Sequence, residues 1–269
     1  MTLHHRFDGP EDGPVVVLGP SLGTTLDLWA PQLPYLTDAW RVLRYDLPGH
    51  GGSPAPSRGP GPSLTMEDLA AEVVRLLDLY GLERVAYGGV SIGGAIGTTL
   101  AVVAPERVAG LVLCCTSARF GSPEAWHERA ALVRREGTAP LIEGTRGRWF
   151  TEEFADPGPQ LAMLAGADPE GYAACCEAIA GFDLRDRLGD VRTPTLIIAG
   201  ESDPATPVEH AKLLLDGIRD AELRVLSPAA HLANVERPGE VGEAMARHLA
   251  ACRGASAGGP GSGGGTVES

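Results

Sequence analysis

The chain has 269 residues, 43% of them hydrophobic, and a formal net charge of -13. That length allows one large domain with a substantial core or two small ones, and no stretch in the middle reads as a linker, so we expect a single domain carrying an insertion. The acidic balance excludes a nucleic-acid partner, whose phosphates require a basic face, and means that an anionic ligand would need local arginines.

In chain order, residues 15–18 form a short β-branched run that reads as a buried parallel strand. The loop Gly19-Pro20-Ser21-Leu22-Gly23-Thr24 follows it. In a hydrolase such a loop supplies one oxyanion amide, here that of Leu22; taken alone, it also reads as a simple turn. A second strand over 41–45 leads into Asp46-Leu47-Pro48-Gly49-His50-Gly51, where His50 lies among turn formers and is read as structural. After a Pro/Gly-rich loop at 54–62, Ser63 or Thr65 caps an amphipathic helix whose buried stripe is Leu69, Val73, Leu76, Leu77, Leu79 and Tyr80, with Gly81 ending it.

A strand over 84–87 then enters Gly89-Val90-Ser91-Ile92-Gly93, a G-x-S-x-G pattern that fits a nucleophile elbow. In a chain with 36 glycines the pattern alone is weak. Small residues at Gly93, Gly94, Ala95 and Gly97 suit a helix pressed against the sheet, and the next strand runs over 108–115. The five cysteines, Cys114, Cys115, Cys175, Cys176 and Cys252, form no disulfide framework or zinc spacing and read as small core residues.

From 118 to 184 strand-like runs vanish, and helical segments at 123–137, 139–149, 160–167 and 169–179 suggest a cap inserted into a core made of 1–117 and 185–253. Its polar landmarks are Arg119, Trp126, Arg129, Arg134, Arg146, Arg148 and Trp149. Sheet rhythm resumes at 195–199, ahead of Asp203, and again at 223–226, ahead of His231. A last helix over 238–252 bears His248, read as a surface residue, and 254–269 is a flexible Gly/Ser-rich tail. With no apolar N-terminal leader and no membrane-length run, we expect a cytoplasmic protein without a membrane partner, metal or cofactor.

Ser91, Asp203 and His231 follow three different strands in the order serine, acid, histidine, which is far more specific than the elbow alone. Serine needs an imidazole to take its proton, the imidazole needs a carboxylate to fix its tautomer, and two amides, those of Leu22 and Ile92, would receive the oxyanion. Asp186 and Asp190 precede the strand and fall at the wrong edge, whereas Asp183, near the hinge of the insertion, is a more serious rival acid.

These motifs resemble the α/β-hydrolase superfamily and, within it, the 3-oxoadipate enol-lactonases of the β-ketoadipate pathway, over roughly residues 10 to 250. The narrower resemblance rests on Arg148-Trp149-Phe150-Thr151, Pro169-Glu170-Gly171-Tyr172, Phe182-Asp183-Leu184-Arg185, the segment from Ala199 to Pro207 and that from Ala230 to Pro238. It implies an α/β sheet with a helical cap, hydrolysis of an anionic enol-lactone through an acyl-enzyme on Ser91, and a cationic partner for the free carboxylate. Arg148 beside Trp149 is the first candidate for that partner and Arg119 the second, against a reading of both as solvated surface. Pro20 departs from the family pattern of Asn or His; lacking an N–H it cannot donate, while Leu22 can. The tail resembles a linker to a carboxymuconolactone decarboxylase domain, as found in fused enol-lactonases, or is simply a flexible end. A carboxylesterase, a cofactor-free perhydrolase, a carbon–carbon bond hydrolase and a non-catalytic ligand receptor all share this framework.

Overall fold

The computed structural model describes residues 2–56 and 63–257. Among these, β1 (His5–Asp8), β2 (Val15–Gly19), β3 (Arg41–Tyr45), β4 (Val85–Val90), β5 (Val108–Cys114), β6 (Thr195–Gly200) and β7 (Ala221–Leu226) form one sheet. Its order is β1-β3-β2-β4-β5-β6-β7, with β1 antiparallel to β3 and every other pairing parallel. The interior strands β2, β4, β5 and β6 are buried almost throughout, as a sheet covered on both faces requires.

The short α1 (Leu33–Leu36) and α2 (Met66–Leu79) precede β4, and α3 (Ile92–Val103) starts directly behind the elbow. Thr65 caps α2 in a reciprocal box: its hydroxyl accepts from the Asp68 amide and the Asp68 carboxylate accepts from the Thr65 amide. The expected stripe holds for Leu69, Val73, Leu76 and Leu77 and fails for Leu79 and Tyr80, which are 62% and 43% exposed. Leu79 projects from the other face of the helix. Tyr80 lies past its end, where its hydroxyl meets His5 Nε2 at 2.7 Å and its ring meets Phe7 of β1, a strand with no signature in the sequence reading.

Between β5 and β6 the chain forms α4 (Pro123–Glu136), α5 (Ile142–Trp149), α6 (Gly158–Ala165) and α7 (Pro169–Ala180). Arg134 of α4 reaches Glu170 and Glu177 of α7 and ties the two helices into one body. After β6 come α8 (Val208–Gly217), which the sequence did not signal, the short α9 (Ala233–Glu236) and α10 (Pro238–Ala257). Helix α10 runs past Gly254, where the tail was expected to begin; 258–269 and most of the Pro/Gly-rich loop lie outside the described residues. His248 is half-buried rather than a surface residue, its Nε2 3.2 Å from the Pro194 carbonyl. All five cysteines are buried. Among the described residues, no helix is long and apolar enough to cross a membrane.

Strand β4 extends to Val90 rather than stopping at Tyr87, because Gly88 and Gly89 still pair with β2 on one side and β5 on the other. A Cβ on Gly89 would fall 2.2 Å from the carbonyl carbon and oxygen of Gly93. Those are backbone atoms and cannot swing aside. Gly89→Ala is therefore expected to destabilise the protein by about 3 kcal/mol or more, the upper range for overpacking, as read from the denaturant midpoint; an unchanged midpoint would refute this account of the turn.

Candidate active site

Ser91, Asp203 and His231 all stand past the C-terminal ends of strands, β4, β6 and β7 respectively, which is where open parallel sheets place ligand-binding groups. Ser91 has φ 56° and ψ -119°, a region that a residue with a side chain enters only under constraint. Its amide donates to the Cys114 carbonyl at 3.0 Å, and its carbonyl accepts from the Thr116 hydroxyl at 2.6 Å. The turn is thus pinned on both sides, from the last residue of β5 and from the loop that follows it.

Asp203 and His231 are both 4% exposed, and His231 Nδ1 lies 2.8 Å from Asp203 Oδ2. An ionised carboxylate only accepts, so Nδ1 carries the proton and Nε2 is left as the basic nitrogen. The other carboxylate oxygen of Asp203 accepts from the Ala205 and Thr206 amides at 2.8 and 3.0 Å, and the Thr206 hydroxyl donates to Oδ2 at 2.6 Å. Burial alone pushes this carboxyl up; the charge and hydrogen bond of His231, with the bonds from Thr206, outweigh it and hold Asp203 below the usual carboxylate range. Asp183 is not brought here: it is about half-exposed and engages Arg185 at 2.7 Å. Asp186 and Asp190 lie in the 3-10 turn Arg185–Asp190 that leads into β6, at the opposite end of that strand.

Helix α3 and the loop after β2 meet closely, since a Cβ on Gly93 would sit 2.4 Å from the Gly19 carbonyl oxygen. That approach brings the segments of Leu22 and Ile92 to the elbow. The Gly23 amide donates to His50 Nε2 at 3.0 Å and the Thr24 amide to the Ser21 carbonyl, so neither is available to a ligand, and the Leu22 amide takes part in neither bond. His50 therefore braces the loop. Its Nδ1 donates to the Pro48 carbonyl at 3.0 Å and its ring stacks on Tyr172 of α7.

Ser91, His231 and Leu22 share a cavity of about 740 Å³ whose far wall comes from the helical insertion and includes Trp126, Arg129, Arg148, Trp149 and Tyr172. Arg148 is half-buried and its Nη2 donates to the Thr145 hydroxyl at 3.1 Å. Burial first, and then the charge of Arg129, pull its guanidinium below the ordinary value. Arg129 lies over the rings of Trp126 and Tyr172, at 5.4 and 6.0 Å. Among the described residues neither arginine has a carboxylate partner; Glu128, also on the lining, is exposed. Arg119 departs from expectation, because it lines a separate cavity of about 280 Å³ with Arg185 and His210 and lies 4.0 Å from Asp183. It sits at the root of the insertion, and the next residues, Phe120 to Ser122, line the larger cavity in its place.

The pattern describing the alpha/beta hydrolase fold matches residues 14–138. The chain is 37% identical to 3-oxoadipate enol-lactonase 2 of Acinetobacter baylyi over 243 residues, 88% of this chain and 89% of that protein. The chain belongs to the α/β-hydrolase family. Within it, the crystal structure of the enol-lactonase from Burkholderia xenovorans LB400 superposes with a TM-score of 0.87 at 38% identity, covering 92% of this chain and 96% of that one. A putative carbamate hydrolase, RutD, of Variovorax paradoxus is 31% identical over 87% of this chain and 91% of its own length. The relatives support a hydrolase and span more than one substrate class.

Thr206, Thr116 and Arg129 had no assigned part in the sequence reading. Thr206 leaves a trace there, since an Asp with small or turn-forming residues two and three positions on is a recurring self-bonded turn; Thr116 leaves none, because the carbonyl it binds is 25 residues away, and Arg129, one of several polar landmarks of the insertion, is singled out only by the cavity it lines.

The buried His50 has its pKa lowered from 6.5, chiefly by burial. An unfolded chain therefore takes up a proton at this position first, and stability falls as pH drops below about 6.5. His50→Phe is expected to lose about 1–3 kcal/mol near neutral pH through the unpaired Gly23 amide and to show a shallower loss of stability between neutral and acid pH. Thermal unfolding of both proteins at pH 7.5 and 5.5 checks this; equal acid sensitivity would contradict it.

Proposed function

We propose that the protein is a serine hydrolase that opens 3-oxoadipate enol-lactone to 3-oxoadipate, with Ser91 as nucleophile, His231 as general base, Asp203 as its orienting acid, and the Leu22 and Ile92 amides as oxyanion donors. The observation that carries the reading is one cavity holding Ser91 and His231 on the sheet side and, on the insertion side, two guanidiniums that have no carboxylate partner among the described residues, Arg129 and Arg148. In a protein of net charge -13, such a pair is a local inversion of sign suited to a substrate carboxylate. The enol-lactonase relatives support the choice of lactone.

His231 Nε2 removes the Ser91 proton as the hydroxyl attacks the lactone carbonyl, and the oxyanion forms toward the Leu22 and Ile92 amides. Collapse breaks the ring C–O bond as the His231 imidazolium returns the proton to the departing oxygen, leaving an enol still tethered to the acyl-enzyme; an enol is a better leaving group than an alkoxide, and its conversion to a ketone makes reversal unfavourable. Water, deprotonated by His231, then cleaves the acyl-enzyme. Helices α4–α7 act as the cap, with Arg148 and Arg129 receiving the free carboxylate and Trp149 walling the pocket against water. The carbamate hydrolase relatives favour a second reading, carbamate cleavage by the same three residues.

Ser91→Ala is expected to reduce kcat by about a millionfold, as loss of the nucleophile does in serine hydrolases. Arg148→Ala should raise KM for the lactone by roughly 10- to 100-fold, the worth of one charge-assisted hydrogen bond, while p-nitrophenyl acetate, which has no carboxylate, is hydrolysed within about twofold of the parent rate. Steady-state assays on lactone, ester and carbamate decide the substrate: ester or carbamate turnover without lactone turnover would sink the lactonase reading and leave the hydrolase one.

A further inference from the structure

Glu236, the last residue of α9, spans two parts of the molecule that carry different tasks. Its Oε1 accepts from the Thr151 amide at 2.9 Å and from the Thr151 hydroxyl at 2.7 Å, just past the end of α5. Its Oε2 accepts from the amide of Ala230 at 2.5 Å, the residue before His231. On the other flank of the histidine, the Leu232 amide donates to the Trp149 carbonyl at 3.0 Å. Both neighbours of His231 are thus bonded to the segment that carries Arg148 and Trp149, one directly and one through a carboxylate. The partners recorded for that carboxylate are uncharged donors, and the adjacent Arg237 instead donates to the Pro228 carbonyl.

We propose that Glu236 is a positioning residue that makes the pocket wall and the His231 loop one mechanical unit, so that the placement of Arg148 on the substrate also sets the placement of the imidazole at Ser91. This rests on the reading of Ser91 and His231 given above. The residue type follows from the chemistry: bridging donors on both sides requires acceptors at both ends of the side chain, which an ionised carboxylate has and an amide does not. In Glu236→Gln one end must present its NH2, which cannot accept from the Ala230 amide or the Thr151 amide, so at least one backbone bond of the bridge is lost. A displacement of about 1 Å at a reacting group costs up to about 100-fold in rate.

The experiment counts active sites by fluorophosphonate labelling of Ser91 and measures kcat per labelled site and KM for 3-oxoadipate enol-lactone. Parent, Glu236→Gln, Thr151→Ala and the double variant are compared. The expected result is a kcat per site roughly 10- to 100-fold lower and a raised KM in Glu236→Gln, a smaller fall in kcat in Thr151→Ala, which loses the hydroxyl's bond and keeps that of the amide, and a double variant no worse than Glu236→Gln alone, because both act on the same link. A purely structural role would lower the number of labelled sites and leave kcat per site unchanged, and that result overturns the proposal, as does additivity of the two changes. Should Glu236→Gln not fold, Thr151→Ala decides alone: an unchanged kcat per site refutes the coupling and a lowered one supports it. A parent protein that does not label at Ser91 removes the catalytic reading, and this proposal with it; a labelled parent with unchanged variants removes only the proposal.

Discussion

Ser91 sits at φ 56° and ψ -119°, a conformation that costs a residue with a side chain about 1–3 kcal/mol, and its surroundings hold it there from several directions. The neighbouring strand binds its amide through Cys114, and the loop after that strand binds its carbonyl through Thr116. From within β4, the Tyr87 hydroxyl donates to the Gly93 carbonyl at 3.0 Å and is itself backed by the Tyr45 hydroxyl at 2.7 Å. Net hydrogen bonds of about 1 kcal/mol each are enough to offset the strain once several act on one turn. The sheet, with its interior strands buried on both faces, supplies the rigid frame from which these bonds are made.

Because the turn is fixed, the groups that complete the site must be brought to it, and each arrives on a different strand end with its own local support. Asp203 is held by its own loop through Ala205 and Thr206, so its orientation does not depend on His231. His231 then takes its tautomer from Asp203. The loop bearing Leu22 is braced by a neutral, buried His50, which explains why a second histidine lies within reach of the pocket walls without being part of the proton chain. A charged imidazole at position 50 would lose its acceptor for the Gly23 amide, and burial keeps it uncharged.

The parallel strands, the elbow and the order of Ser91, Asp203 and His231 were legible in the sequence because each is written locally: an apolar run, then a turn, then one polar residue. What was not legible depends on long-range contact. Strand β1 is four residues with no hydrophobic run, and without it Tyr80 looked like a core residue. Arg119 and Arg148 are equally basic in the sequence, and only the path of the chain at the root of the insertion turns one toward Asp183 and the other toward Ser91. Glu236 belongs to a segment whose resemblance was readable, but its partners are 6 and 85 residues away, a separation that no local pattern records.

The division between frame and insertion bears on how one fold serves relatives of different substrate classes. Of the groups that surround Ser91 on the sheet side, Asp203 is fixed by bonds within its own loop, the loop after β2 by His50, and His231 by Asp203 and by bonds from its flanking residues. The wall that faces them is built from side chains on α4, α5 and α7, whose own integrity rests on contacts among the helices, such as that of Arg134 with Glu170 and Glu177. Arg148 is not part of that internal support, since its bond is to the Thr145 hydroxyl of its own helix, and Arg129 joins it only through the ring faces of Trp126 and Tyr172. On the function proposed above, replacing them alters which ligand charge the cavity accepts. Selectivity can therefore change one side chain at a time, provided that the strut from Thr151 to Ala230 keeps the wall in register with the histidine it serves.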